Sequence, residues 1–270
     1  MKLSFTKMHG AGNDFVMIDN RARSISLSQS QVERLCDRHR GVGANGLLLV
    51  EPTADGGAAD FRMRYFNADG REAEMCGNGA RCFARFVQRL GGCRDRVSFQ
   101  TPAGVIRAEL DGSLVRINLG EPHGLRLNER VKLSIGETEL HLLNTGVPHA
   151  VLVVEDADRA MVTSLGAEIR HHPRFAPAGT NVNFLQRLDS RSIRIRTYER
   201  GVEDETLACG TGVAVSALVA HALFDMPSPI SVQVRGGDTL EVSFLAEGNR
   251  FRDVCLTGPA EFAFEGSLEV

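Results

Sequence analysis

One four-residue motif occurs twice in this chain of 270 residues: Cys76-Gly77-Asn78-Gly79 and Cys209-Gly210-Thr211-Gly212, 133 residues apart. The same offset relates Ser98 to Ser231, Gln100 to Gln233 and Gly104 to Gly237. Several matches in one register, at about half the chain length, imply two homologous halves, and that duplication constrains the fold before any single element does. The expected division is 1–118 with a C-terminal strand 262–270, against 119–261. Glu121-Pro122-His123-Gly124 reads as the crossing between halves and Gly258-Pro259 as the return.

Local patterning repeats too. Before each motif lies a strand-like alternation, Phe61, Met63, Tyr65 in one half and Ile193, Ile195 in the other. After each lies a helix. The first, Gly79 to about Leu90, gathers Phe83, Phe86, Val87 and Leu90 on one side and assigns Arg81, Arg85 and Arg89 to its exposed part. The second, Val213–Leu223, is apolar nearly all round, so other structure must enclose it. Strands follow at 97–100, 105–110 and 114–119, and again at 230–234 and 240–244. A further helix, Gln29–His39, starts with Ser28 and Gln31 in capping-box spacing. There are too few helices for a βαβ order, so the expected class is α+β: two pseudo-symmetric halves, each a curved, mostly antiparallel sheet around a central helix.

Charge and composition narrow the function classes. The formal net charge is −3, without the basic patch a nucleic-acid partner requires. The longest nearly apolar run, Val213–Phe224, is too short to span a bilayer. The first ten residues lack the apolar core of a secretory signal. Six cysteines with no CxxC pair match neither a disulfide framework nor a zinc site, which points to a reducing, cytoplasmic compartment.

The order strand, loop, Cys-Gly-x-Gly, helix sets each cysteine at a helix N-terminus. There the backbone dipoles favour thiolate, and glycines let an anion approach the N–H groups. Two such starts facing one cleft would hold one carboxylate with a sulfur on either side. That arrangement suits inversion at an amino-acid α-carbon, in which one face loses a proton and the other gains one. Neither metal nor pyridoxal cofactor is required. Cys36, Cys82, Cys93 and Cys255 read instead as small hydrophobic fillers, and His171-His172 reads as loop.

The motifs Met8-His9-Gly10-Ala11-Gly12-Asn13-Asp14-Phe15, Phe66-Asn67-Ala68-Asp69-Gly70, Met75 through Arg81, Tyr198-Glu199-Arg200-Gly201 and Ala208 through Gly212 together resemble the diaminopimelate epimerase family from end to end. The resemblance implies a pyridoxal-independent homodimer that interconverts LL- and meso-diaminopimelate on the way to lysine and peptidoglycan. It implies Cys76 and Cys209 as the acid/base pair, with Gly77-Asn78 and Gly210-Thr211 as backbone donors to the reacting carboxylate. Asn13, Asn67 and Asn181 are then substrate amides, Arg200 holds the distal carboxylate, and Glu199 meets the distal ammonium. His149, with Glu199, would tune the thiols. Two positions depart from the pattern: Gly46, where many relatives carry Gln, and Val147, where many carry Asn; Asn45 and Asn144 are the neighbouring amides. The alternatives are a proline- or hydroxyproline-type racemase on the same fold, a non-catalytic amino-acid binder, and a thiol redox sensor. A sensor requires the two thiols within disulfide reach.

Overall fold

A computed structural model describes residues 2–53 and 57–270. The chain falls into two compact units, Met1–Asn118 with Gly258–Val270, and Leu119–Thr257.

The first unit contains β1 (Lys2–Gly10), β2 (Asn13–Asp19), α1 (Gln29–Cys36), β3 (Gly46–Pro52), β4 (Phe61–Asn67), β5 (Glu72–Ala73), α2 (Gly77–Arg89), β6 (Arg96–Thr101), β7 (Gly104–Asp111) and β8 (Leu114–Asn118). The second contains β9 (His123–Leu133), β10 (Gly136–Asn144), β11 (Pro148–Val153), α3 (Val162–Arg170), β12 (Asn181–Arg187), β13 (Ser192–Glu199), β14 (Asp204–Thr206), α4 (Gly210–Phe224), β15 (Ile230–Gln233), β16 (Thr239–Glu247) and β17 (Arg250–Pro259). The last strand, β18 (Glu261–Glu269), returns to the first unit and pairs antiparallel with β1.

The two units share one topology. In the first, the strands run β18-β1-β2-β3-β4-β6-β7-β8, with β5 set against the end of β4. In the second they run β9-β10-β11-β12-β13-β15-β16-β17, with β14 against β13. Most neighbours are antiparallel. The parallel pairs are β2 with β3 and β4 with β6, then β11 with β12 and β13 with β15. They are bridged by α1, α2, α3 and α4 in turn, because a parallel pair needs a crossover and a tight turn cannot supply it.

The central helices occupy equivalent places. α2 packs on β1, β2, β3, β4, β7 and β8, and α4 packs on β10, β11, β12, β13, β15 and β16. α2 buries Cys82, Phe83, Phe86 and Val87, with the Phe83 ring 4.6 Å from that of Phe99. α4 is buried from Gly212 through Ala220, which explains why its sequence has no polar face.

Three sequence expectations change. α1 stops at Cys36, short of His39, because Asp37 is extended and its carboxylate accepts the N–H groups of His39 (2.7 Å) and Arg40 (2.8 Å), which form a turn. The capping box at its start is present, Ser28 Oγ accepting from Gln31 N and Gln31 Oε1 from Ser28 N. Glu121–Gly124 is not a bare linker, since β9 already begins at His123. Arg81, assigned to the exposed part of α2, is fully buried.

Candidate active site

Both cysteines occupy the N-cap position of a central helix, with extended backbone (Cys76 φ −137°, Cys209 φ −113°) and side chains that do not cap. The first intrahelical bonds run from Ala80 N to Cys76 O (2.8 Å) and from Val213 N to Cys209 O (2.9 Å). The N–H groups of residues 77–79 and 210–212 thus lie ahead of each helical ladder, at the positive end of its dipole. The second glycine of the motif is required sterically in α4: a Cβ on Gly212 would come within 2.4 Å of Asn183 Oδ1.

In the first unit, Asn13 opens β2 and its Nδ2 donates to Cys76 Sγ at 3.9 Å. Its buried Oδ1 has no partner among the described residues. Asp14, next in the chain, anchors this turn. Burial would raise its carboxyl, but bonds from Arg38 and Lys7 outweigh that and hold it below the usual carboxylate range. Asn45 is tied to the same place, its backbone donating to Asp14 and its Oδ1 accepting from Asp14 N. Asn67 ends β4 opposite Gly46, with an exposed side chain and a backbone that closes a turn with Gly70. A Cβ on Gly46 would lie 2.6 Å from both Phe66 O and Tyr65 Cε2. The Tyr65 ring therefore takes the space a side chain at 46 would need.

In the second unit, a chain of bonds ends at the sulfur. Thr197 Oγ1 donates to Asn183 Oδ1 (2.9 Å), which orients the Asn183 amide so that Nδ2 donates to His149 Nδ1 (3.0 Å). Burial, reinforced by the Arg200 charge, pushes His149 down to about 3. The ring is therefore neutral at physiological pH. With Nδ1 accepting, the proton is assigned to Nε2, which donates to Thr211 Oγ1 at 2.9 Å. The Thr211 hydroxyl is then left to donate to Cys209 Sγ, 3.5 Å away. Asn181 begins β12 beside His149, and its Oδ1 accepts the Arg200 backbone N–H at 2.8 Å. The Arg200 guanidinium donates to Ala178 O. Glu199 ends β13, where burial raises its carboxyl and the Thr206 hydroxyl partly offsets the effect.

The structure thus joins Asn13 to Cys76, and His149, Asn181, Arg200, Thr211 and Cys209 to one another. Asn144 Oδ1, like Asn45, is used locally, accepting from Gly146 N (2.8 Å). Val147 is half-buried beside it. Sequence reasoning missed Asn183 and Thr197, whose signal was faint: Asn183 shares a strand face with Asn181 two residues earlier. Cys36 and Cys82 are pushed up to about 12 by burial, in keeping with a packing role. Among the described residues no His/Cys/Asp/Glu group is arranged to hold a metal ion, and no helix is long and apolar enough to cross a membrane.

Two units of one topology, each with a cysteine at the N-cap position of its central helix, define an α+β class with known structural members. The PhzF-family phenazine biosynthesis protein of Bacillus anthracis superposes with a TM-score of 0.76 at 14% identity, covering 100% of both chains. A hydroxyproline epimerase from Agrobacterium vitis, solved with bound trans-4-hydroxy-L-proline, gives 0.71 at 16% identity, covering 99% of this chain and 92% of its own. At such identities the likeness is one of fold. Sequence comparison goes further: the diaminopimelate epimerase family model matches residues 5–124 and 141–263. Diaminopimelate epimerase of Aromatoleum aromaticum is 44% identical with 100% of both chains covered, and that of Aquifex aeolicus is 42% identical with 98% of each covered. The chain belongs to the diaminopimelate epimerase family, a family of amino-acid isomerases.

Proposed function

We propose that this protein interconverts LL-2,6-diaminopimelate and meso-diaminopimelate by two-base proton transfer, with Cys76 and Cys209 serving opposite faces of one α-carbon. One sulfur, as thiolate, removes the α-proton. The electron pair of the C–H bond passes into the carboxylate as an enediolate, and the other sulfur, as thiol, returns a proton to the opposite face. The protein ends with the two protonation states exchanged, and the reverse reaction restores them. The observation that carries this reading is the duplicated N-cap cysteine. Each unit offers one sulfur at a helix N-terminus, whose first-turn N–H groups would stabilise the charge that develops on the carboxylate.

The surrounding residues take roles consistent with this chemistry. The Thr211 hydroxyl, set by neutral His149, donates to Cys209 and favours its thiolate. Asn13 Oδ1, which has no partner among the described residues, suits a substrate ammonium. Arg200 suits the distal carboxylate through its guanidinium fork. Glu199, protonated more readily than an ordinary glutamate, regains its charge when it pairs with the distal ammonium. Asn67, Asn181, and the N–H groups of Gly77-Asn78 and Gly210-Thr211 complete the substrate contacts. The same reading takes the protein as a cytoplasmic homodimer that uses no cofactor.

The test is proton exchange. Incubation with LL-diaminopimelate in deuterated water is expected to place deuterium on one α-carbon as the meso form appears. Cys76→Ala and Cys209→Ala are each expected to abolish epimerisation. Exchange into proline with none into diaminopimelate would replace this reading with the racemase alternative. Binding without any exchange would leave a non-catalytic binder.

A further inference from the structure

Arg81 is a fully buried arginine near the positive end of a helix. Long helical side chains lean toward the N-terminus, so an arginine at the fifth helical position reaches back over the first turn. Its Nη2 donates to Asn78 Oδ1 at 2.9 Å, its Nη1 reaches Gly77 O at 3.4 Å, and its Nε reaches Pro259 O at 3.3 Å. β1 closes over the group at Gly10, where a Cβ would stand 2.9 Å from Asn78 O and 3.3 Å from Arg81 Nη2.

Helix stability argues against this placement. A cation at a helix start opposes the macrodipole, and burial removes its water. The first turn of α2 carries no acidic residue. The arrangement gains when an anion occupies the helix start, because the formal charge then adds to the dipole. By the motif offset, Ala214 stands at the matching position of α4, so this charge belongs to the Cys76 half alone.

We infer that Arg81 is a positioning residue that charges the helix start behind Cys76, favouring its thiolate and holding Asn78 so that the first-turn N–H groups face the substrate carboxylate. The catalytic part of this inference rests on the proposed function; the ionisation part does not.

The experiment follows alkylation of the reduced protein by iodoacetamide across the thiol titration range, with the Cys76 and Cys209 peptides quantified separately by mass spectrometry. Arg81→Met is expected to move the Cys76 midpoint up by about one pH unit or more, roughly tenfold less thiolate below it, and to leave Cys209 unmoved. Arg81→Lys, which keeps the charge, is expected to restore most of the midpoint. In the exchange assay Arg81→Met is expected to lose about tenfold or more in kcat/KM, with the acidic limb of the pH profile displaced upward in step with the Cys76 midpoint. If the methionine variant does not fold, Arg81→Gln is read in its place, since it is neutral yet keeps a donor for Asn78. A folded neutral variant whose Cys76 midpoint matches the wild type overturns the inference, whatever its activity. A wild type that exchanges no substrate proton sinks the proposed function and leaves the alkylation result standing.

Discussion

Moving from pH 7 to pH 5 should cost this protein stability through one buried ring. His149 is 2% exposed, and burial with the nearby Arg200 charge holds it at about 3, against an ordinary value of 6.5. Between these values the unfolded chain binds a proton at this residue and the native protein does not. Stability from this group is therefore full above pH 6.5 and declines as the pH falls toward 3. Integrated from pH 7 to pH 5, the difference is about 2 kcal/mol, a fall of roughly 4–8 °C in Tm for a chain of this size. His149→Gln retains an amide toward Thr211 and removes the titration. The assay is urea denaturation at both pH values for wild type and variant, scored as the difference of differences. His141, also held low by burial, and Glu199, held high, titrate in both proteins and cancel. Equal pH-dependent losses in the two proteins would refute the neutral, enclosed imidazole and, with it, the assigned direction of the Thr211 hydroxyl.

Two further outcomes follow from the geometry of the first unit. Asp14→Asn takes the carboxylate from Lys7, which is 7% exposed, and from Arg38; a loss of about 2–3 kcal/mol is expected, discounted for the partly wet site. Because Asp14 is held below 3.8, its contribution is present above that value and lost as the pH falls further, so the variant's acid denaturation should be correspondingly shallower. Gly46→Gln should destabilise by about 1–3 kcal/mol in thermal melts. Tyr65→Ala should rescue only part of that, since Phe66 O stands equally close to the new Cβ.

The duplication was legible because a repeated motif depends only on chain order. Cys76 and Cys209 became candidates from their spacing and the glycines around them, and the N-cap geometry at both is local. The parts that escaped are those set by tertiary contact. Helical periodicity sorted Arg81 with Arg85 and Arg89, yet the acceptors that bury it are a first-turn side chain and carbonyl together with Pro259 O, far along the chain. α3 was missed because Met161 offers no capping side chain and Gly166 interrupts its apolar spacing. That glycine is required, since a Cβ there would meet Tyr198 Cβ at 2.5 Å. Asn183 reads as an odd polar residue in a buried strand until the imidazole it orients is placed beside it.

The placement of β18 sets an order of assembly. The second unit draws all its strands from one uninterrupted stretch of chain, whereas the first needs its last strand from beyond that stretch. On the ribosome, residues 119–257 are all synthesised before the partner of β1 has been made. Throughout that interval the outer edge of β1 lacks the strand that pairs with it, and the Pro259 carbonyl that Arg81 reaches has not been made.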